Sequence, residues 1–175
     1  MKTVEIPEII ICSVDDPRQS VKSKEADSIY RNNVKNIVLA AAHVENRLAS
    51  GVGKYFFGDD LNKHLEFDNM ILSSDSFTFS AKRKAFLHII KTQKILSGSQ
   101  LNDFEKLIAR VIRYRNMFTH GTPVYHGAKC ILHYFESSKR ELELSDDFLE
   151  KVEKQVTDCI FQSENLVQKI KVINT

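Results

Sequence analysis

The chain has few cysteines and no long apolar run, and each absence excludes a class of protein. Its three cysteines, Cys12, Cys130 and Cys159, are odd in number and far apart, so they match neither a zinc-binding spacing nor a disulfide framework. We therefore expect a reduced, intracellular chain. No apolar segment approaches the roughly 20 residues that a membrane-spanning helix needs, and the first residues lack a signal-peptide pattern. Together these features predict a cytoplasmic protein without membrane contact.

Several kinds of catalytic motif are also missing. Neither Gly51-Val52-Gly53 nor Gly98 belongs to a glycine-rich phosphate loop. His126 and His133 flank a predicted strand, but no carboxylate or cysteine joins them in a recognised metal-binding pattern. The sequence contains no strained serine elbow. It therefore predicts no metal site and no cofactor.

Hydrophobic periodicity predicts a mainly helical domain with a small β-hairpin. A length of 175 residues with 42% apolar residues suits one globular domain. Residues 1–23 are predicted to form an extended arm, because a β-branched run containing Pro7 argues against a helix. Residues 24–175 are predicted to form the helical domain. Its predicted helices cover about 24–51, part of 61–72, 80–96, 101–120 and 146–172, and the hairpin pairs 130–136 with 139–144.

The first long helix carries a strict apolar seam for packing against other helices. The seam residues alternate in spacing between four and three: Tyr30, Val34, Ile37, Ala41, Val44 and Leu48. Glu45 lies at the edge of this seam, about 60° from its centre on an ideal helix. Gly51 and Gly53 are expected to end or loosen the helix.

The segment Arg115–Gly121 conflicts with its own helical pattern. On the preceding helix, one apolar stripe contains Phe104, Leu107, Ile108, Val111 and Phe118. Arg115 falls close to the middle of this stripe, where a charge is costly unless it is paired or faces a polar pocket. Such conflicts between pattern and residue type are typical of functional sites. Gly121 follows His120, where the helix is expected to stop.

Charge is unevenly distributed around this segment. From Lys82 to Arg115 there are nine basic residues, opposed only by Asp103 and Glu105. Such a region could attract a polyanion such as RNA. The candidate RNA-binding residues are Lys82, Arg83, Lys84, Arg110 and Arg113. Equally, these side chains could be ordinary solvated helix faces.

Arg115, Asn116 and His120 are suited to cleaving RNA without a metal. Histidine titrates near neutral pH and can move a proton at a 2′-hydroxyl or a leaving oxygen, and arginine can bind a phosphate in two places. An ideal helix separates Arg115 from His120 by about 140°. They can converge if the helix distorts near Thr119, or if a second chain supplies another copy. The plainer interpretation is an arginine paired with an acid such as Glu45, and a histidine at a helix end.

Arg115-Asn116-Met117-Phe118-Thr119-His120 resembles the R-x4-6-H motif of the HEPN superfamily, in which a polar residue commonly follows the arginine. The resemblance extends over roughly residues 24–172. It implies a helical bundle that forms a homodimer, with a composite active site made by the paired motifs. It also implies that a polar residue of the first long helix could join the site, for which Glu45 is the best-placed candidate.

The resemblance implies a metal-independent endoribonuclease of a toxin–antitoxin or anti-phage system. In that reading His120 is the acid or base, Arg115 binds the phosphate, Asn116 orients them and Glu45 supports them. The basic residues between Lys82 and Arg113 would guide RNA to the site. A different class stays open, namely a non-catalytic module that docks a partner such as a nucleotidyltransferase antitoxin.

Overall fold

The computed structural model describes residues 17–74, 77–126 and 129–173. Within these ranges the chain forms five α-helices, one π-helical turn and a three-stranded sheet. In chain order the elements are α1 (Pro17–Phe57), α2 (Leu61–Phe67), the π-helical turn (Asp68–Leu72), α3 (Phe79–Thr92), α4 (Gly98–His120), β1 (Thr122–His126), β2 (Lys129–Glu136), β3 (Ser138–Glu143) and α5 (Asp146–Lys169). The prediction of a mainly helical fold with a small antiparallel sheet before the last helix is confirmed.

Helix α1 is longer than predicted at both ends. It has 41 residues and begins at Pro17, a residue that suits the first helical position because its missing N–H would have no helical partner there. Residues 17–23 are therefore helical, and not part of an extended arm. The rest of the predicted arm, residues 1–16, lies outside the described residues. At the other end the helix continues to Phe57, so the expected end near Gly51 is wrong.

The predicted seam of α1 forms the centre of the core. Ala41, Val44 and Leu48 are fully buried, and Tyr30 and Ile37 are nearly so. Helices α3, α4 and α5 all pack against α1. Gly51 is part of this packing, because a Cβ at that position would overlap the ring of Phe86 on α3. The glycine therefore permits a close approach between two helices and does not stop α1.

Helices α3 and α4 are antiparallel neighbours, as their short connection predicts. Arg83 on α3 contacts Glu105 on α4, and the rings of Phe86 and Phe104 lie 6.2 Å apart. From the first contact to the second, the residue number rises on α3 and falls on α4, so the two helices run antiparallel. Helix α3 ends at Thr92, four residues earlier than expected, and α4 begins directly after Ser97.

The sheet contains one strand more than the sequence predicted. Strands β2 and β3 form the expected hairpin, and β1 pairs with the other edge of β2, so the strand order is β1-β2-β3. β1 was missed because it has only five residues and contains Pro123, which is tolerated at a sheet edge. One face of the sheet packs on the helices through Cys130 and Leu132, which are buried.

The chain returns to the bundle through α5. The Ser145 side chain caps this helix by accepting a hydrogen bond from the Phe148 backbone N–H, and acidic residues occupy the first turn. The predicted cap is confirmed, although α5 ends at Lys169, earlier than the predicted Val172. Within the described ranges, no helix combines the length and apolar character required to cross a membrane.

Replacing Gly51 by alanine tests whether the glycine serves helix packing. Alanine normally stabilises a helix by up to about 1 kcal/mol relative to glycine. Here the added methyl group would meet the buried Phe86 ring, so we expect Gly51→Ala to lower the free energy of unfolding by about 1–3 kcal/mol. Denaturant unfolding followed by circular dichroism measures this. As a reference, Ala42→Gly at an exposed position of α1 should cost about 0.5–1 kcal/mol through propensity alone. A stabilised Gly51→Ala protein would contradict the prediction.

Candidate active site at the end of helix α4

Helix α4 remains regular to its last residue, His120. Gly121 is already extended, with φ −79° and ψ 151°, and its N–H donates to the Met117 carbonyl at 2.8 Å. A Cβ at Gly121 would lie 2.7 Å from Leu132 Cδ1, so close contact with β2 requires the glycine. The chain therefore passes directly from helix into β1 at this point. The helix is not distorted near Thr119, which removes one of the two ways in which Arg115 and His120 could converge.

Arg115 lies at the margin of the core and not at its centre. The predicted stripe on α4 is confirmed, because Phe104, Leu107, Ile108, Val111 and Phe118 are all buried. In the last turns, however, Tyr114 and Met117 are buried as well, so the buried stripe turns away from Arg115. The Arg115 side chain is consequently half-buried, with access to solvent.

The length of α3 explains this exposure. Because Arg83 contacts Glu105, these two residues lie side by side at the same height along α3 and α4. Helix α3 begins at Phe79, four residues before Arg83, so antiparallel packing ends near the level of residue 109 on α4. Arg115 lies six residues, or about 9 Å, beyond that level. The helix that covers the middle of α4 therefore does not reach Arg115.

Two of the three motif side chains are in direct contact. Arg115 Nη1 donates to Asn116 Oδ1 at 3.2 Å, so the amide oxygen orients the guanidinium. Asn116 and His120 are exposed. On a regular helix Asn116 and His120 share a face, whereas Arg115 and His120 point about 140° apart. The backbones of Arg115 and His120 thus lie on different sides of the same helix end, and Asn116 lies on the side of His120.

Glu45 does not lie beside the motif of its own chain. Its Oε1 accepts from Lys82 Nζ at 2.6 Å, and the two side chains are only 22% and 11% exposed. Since the neighbouring Arg83 pairs with Glu105, this contact lies near the first third of α4. Arg115 is ten residues, or about 15 Å, farther along α4. Glu45 therefore neutralises a buried lysine between α1 and α3.

The candidate RNA-binding residues divide into paired and unpaired cations. Lys82 is held by Glu45 and is too buried to meet a phosphate. Arg83 binds Glu105 at 2.7 Å, and Arg113 binds Glu136 at 2.8 Å. Lys84 and Arg110 are exposed and have no ion-pair partner among the described residues. Only part of the predicted basic region is therefore free to contact a polyanion.

Arg115 differs from the ion-paired arginines of this region. Arg83 and Arg113 each bind a carboxylate, whereas Arg115 has no carboxylate within ion-pair distance among the described residues. Its one side-chain partner there is the neutral amide of Asn116. The plainer interpretation, in which Glu45 pairs with Arg115, is wrong because Glu45 pairs with Lys82. The Arg115 guanidinium thus keeps unused donors for an anion.

A contact that the sequence pattern did not reveal fixes the strand after His120. The Tyr125 hydroxyl on β1 donates to Asp27 Oδ1 on α1 at 2.8 Å, and Arg31 Nε donates to Asp27 Oδ2 at 2.7 Å. Burial alone would raise the pKa of Asp27, but the hydrogen bonds from Arg31 and Tyr125 outweigh it and lower the pKa. The contact joins residues 98 positions apart, which no local periodicity could indicate.

A cavity of about 290 Å³ lies away from the motif, between α1, the sheet and the start of α5. Tyr30 and Cys130 contribute to its wall. Burial raises the pKa of Tyr30 to about 12 and that of Cys130 to about 11, so both groups are protonated near neutral pH. A protonated thiol is a poor nucleophile, which argues against covalent catalysis there.

In the part of the chain that the structure describes, no group of three or more histidine, cysteine or acidic residues could hold a metal ion.

The Lys82–Glu45 pair can be tested as a structural element. Lys82→Met removes the cation and leaves a half-buried carboxylate alone, so we expect the free energy of unfolding to fall by about 1–3 kcal/mol. Adding Glu45→Met should recover much of this loss, because no unpaired charge remains. Urea unfolding of both single variants and the double variant gives the coupling energy. Lys84→Met, at an exposed neighbouring position, is the matched control and should change stability by less than about 0.5 kcal/mol. Additive losses in the double variant would contradict this prediction.

The Asp27–Tyr125 bond predicts a pH-dependent stability. Tyr125→Phe removes one donor, and at pH 7 we expect a loss of about 0.5–2 kcal/mol. Because the folded protein lowers the pKa of Asp27 below its ordinary value of 3.8, this stabilisation is present above that value and is lost as the pH falls through the folded-state pKa. The difference between wild type and Tyr125→Phe should therefore shrink below about pH 4. Unfolding curves between pH 3 and pH 7 check it, and a difference that grows on acidification would exclude this assignment.

The end of α4 therefore presents an arginine oriented by an asparagine, an exposed histidine and a direct connection to the sheet. Comparison of the chain with protein-family models, curated proteins and solved structures gave no match. The interpretation of the site consequently depends on its residues and their geometry.

Proposed function

We propose that the protein is a metal-independent endoribonuclease of the HEPN type, and that two copies form a homodimer with composite active sites. The observation that carries this proposal is the state of Arg115. It is accessible, oriented by Asn116 and without a carboxylate partner among the described residues, while Lys82, Arg83 and Arg113 are neutralised by carboxylates. An arginine kept in this condition beside an exposed histidine suits the binding of a phosphate.

The proposed reaction uses the ribose as its own nucleophile. The 2′-oxygen attacks the adjacent phosphorus, a new P–O2′ bond forms and the P–O5′ bond breaks. His120 accepts the proton of the 2′-hydroxyl while water protonates the leaving 5′-oxygen, or it donates a proton to that oxygen while water accepts the proton of the 2′-hydroxyl. Arg115 binds the non-bridging oxygens, whose negative charge increases in the transition state, and Asn116 holds the guanidinium in position. The products are a 2′,3′-cyclic phosphate and a 5′-hydroxyl.

The regularity of α4 supports the proposal of a composite site. Because the helix is regular through His120, the Cα–Cβ directions of Arg115 and His120 in one chain are about 140° apart, so we infer that a second chain supplies the facing partner. In a two-fold symmetric dimer, Arg115 of one chain can face His120 of the other, and symmetry generates this pairing twice. The accessible end of α4, beyond the reach of α3, suits such an association.

The proposal assigns fewer residues to RNA than the sequence suggested. Lys84 and Arg110 are free to attract the RNA backbone. The other three candidates form ion pairs with carboxylates of the same chain: Lys82, Arg83 and Arg113. Glu45 supports the α1–α3 packing and has no direct part in the chemistry. A ribonuclease of this kind would need control in a cell, which fits a toxin–antitoxin or anti-phage system.

One observation favours a second candidate, a binding module that docks a partner such as a nucleotidyltransferase antitoxin. Helix α2 has no buried residue, and large apolar side chains of α2 and the π-helical turn face solvent. These residues are Leu61, Leu65, Met70 and Ile71. An exposed apolar group of this kind is a common feature of protein-binding surfaces.

The first experiment measures cleavage of RNA by the purified protein in excess EDTA. We expect wild type to produce fragments with 2′,3′-cyclic phosphate ends, and Arg115→Ala and His120→Ala each to lose activity by at least about 100-fold. Lys151→Ala is a control that removes an exposed cation of α5, outside the proposed RNA-binding residues, so it should retain most of the activity. If folded wild-type dimer cleaves no class of RNA, the binding module becomes the better proposal.

Mixing the two inactive variants tests the composite site. In a dimer of one Arg115→Ala chain and one His120→Ala chain, one site contains both intact residues and the other contains neither. After denaturation and refolding of an equal mixture, half of the dimers are mixed, so activity should return to about a quarter of wild type. No recovery, with mixed dimers demonstrated by mass, would show that Arg115 and His120 do not act across the two chains in this way.

A further inference from the structure

The cavity between α1, the sheet and the start of α5 is separate from the motif, and the proposed reaction does not use it. Its volume, about 290 Å³, is close to the lower end of the range for small-molecule sites, which is roughly 300–1,000 Å³. Apolar side chains form much of its wall: Ala26, Ile29, Leu144 and Leu149. A concave space with mainly apolar walls and a few polar groups is the usual form of a ligand site.

The wall of the cavity contains a buried hydroxyl that the fold does not use. Tyr30 is only 8% exposed, and its hydroxyl has no hydrogen-bond partner among the described residues. Tyr114 is exposed to the same 8%, but its hydroxyl donates to Gln155 Oε1 at 2.9 Å. Buried hydroxyls normally have such a partner, because losing their hydrogen bonds to water is costly. Tyr30 therefore brings an unused polar group to the cavity wall.

The Tyr30 hydroxyl opens into the cavity. Among the described residues, Arg83 Nε is the one buried side-chain nitrogen or oxygen that is both sealed from water and unpartnered. The Tyr30 hydroxyl is consequently within reach of water, and the cavity is the space that Tyr30 lines. Burial raises the pKa of Tyr30 to about 12, so the hydroxyl keeps its proton near neutral pH. It can therefore donate to an acceptor that enters the cavity.

Asn33 supplies a complementary group beside this hydroxyl. It lies three residues after Tyr30 on α1, a spacing that makes the two side chains neighbours on the helix surface. Asn33 Nδ2 donates to the Ile29 carbonyl at 3.0 Å, and Oδ1 has no hydrogen-bond partner among the described residues. The wall thus offers a hydroxyl donor next to an amide acceptor. A ligand with a carbonyl next to an N–H can satisfy both.

The charges of the lining argue against an anionic ligand. Among the described residues, Lys129 is the one cation of the lining, and Glu143 binds it at 3.1 Å. Asp146 adds another carboxylate in the first turn of α5. The Ser145 side chain already accepts from the Phe148 N–H, so this helix end has one donor fewer for an anion. Because a charged group would also lose water against the apolar wall, the cavity suits an uncharged ligand.

We propose that this cavity binds a small, uncharged ring compound that carries an amide group. The ring lies against the apolar wall, the amide oxygen accepts from the Tyr30 hydroxyl, and the amide N–H donates to Asn33 Oδ1. The ligand class is thus defined by an apolar ring, an acceptor next to a donor, and no net charge. The site is separate from the motif, so this inference does not depend on the proposed ribonuclease.

The test uses benzamide, which combines a ring with an uncharged amide. Its binding to the full chain is followed by NMR of isoleucine and leucine methyl groups, with Ile29, Leu144 and Leu149 as reporters of the cavity. Toluene, which lacks the amide, and benzoate, which is charged, are matched probes. Tyr30→Phe removes the hydroxyl alone. Tyr114→Phe is the matched control variant, because it removes an equally buried hydroxyl outside the cavity lining.

We expect benzamide to shift the three reporter methyl signals with equal affinity in wild type and Tyr114→Phe. It should bind Tyr30→Phe about 3- to 10-fold more weakly, because one hydrogen bond is lost. Toluene and benzoate should bind wild type at least about 3-fold more weakly than benzamide. The inference is overturned if benzamide leaves the reporter signals unchanged, if Tyr30→Phe binds it as wild type does, or if either matched probe binds equally well.

Unfolding temperatures give a second readout that needs no ligand. Tyr114→Phe breaks the bond to Gln155, so Tm should fall by about 2–4 °C. Tyr30→Phe removes a hydroxyl that has no partner in the fold, so its Tm should equal or exceed that of wild type. A fall of Tm in Tyr30→Phe as large as in Tyr114→Phe would show that the folded chain itself occupies this hydroxyl, and it would contradict the proposed site.

Discussion

The packing of three helices against one apolar seam determines where the rest of the chain can lie. Helix α1 is about 60 Å long, and its seam is the surface on which α3, α4 and α5 bury their apolar faces. Helix α3 has only 14 residues and α4 has 23, so α3 covers one part of α4 and leaves another part open. The open part is the end that carries Arg115. A charge within an apolar periodicity is tolerated there because the covering helix is too short to bury it.

The cost of burying charge explains the ion pairs of the fold. Lys82 is almost fully buried between α1 and α3, and a buried cation without a partner would be strongly destabilising. Glu45 removes that penalty, and Glu105 does the same in part for Arg83, whose side chain is 25% exposed. The Arg113–Glu136 contact is a surface ion pair between side chains that are 52% and 46% exposed. Arg115 is accessible to water and needs no such carboxylate for the stability of the chain. Its pairing with a neutral amide is therefore a specific property of the motif and not a general feature of cations on this surface.

The sequence predicted most of the fold where periodicity was strong. The seam of α1, the apolar stripe of α4 and the hairpin of β2 and β3 all follow local spacing, and the structure confirms them. Prediction failed where a contact between residues distant in sequence determines the local structure. Gly51 reads as a helix end, but it is needed because Phe86 approaches it from another helix. β1 was missed because its pairing with β2 and the Tyr125–Asp27 bond join distant parts of the chain.

In the candidate site, too, contacts between neighbouring residues could be predicted from the sequence, and contacts between distant residues could not. The motif could be found from six consecutive residues, and the contact between Arg115 and Asn116 lies within them. The partner of Glu45 could not be found in this way, since Lys82 is 37 positions away. The position of Arg115 in the apolar stripe indicated a charge that needs a partner or a polar surrounding, and the structure shows it half-buried at the margin of the core, beyond the reach of α3.

The direct junction of α4 with β1 limits how two chains could form a composite site. Arg115 and His120 belong to one stiff helix, and their Cα–Cβ directions lie about 140° apart. Their separation is fixed by the backbone, and the strand after His120 is held to α1 by Tyr125. Under the proposed function, catalytic geometry therefore depends on how two rigid ends of α4 approach each other.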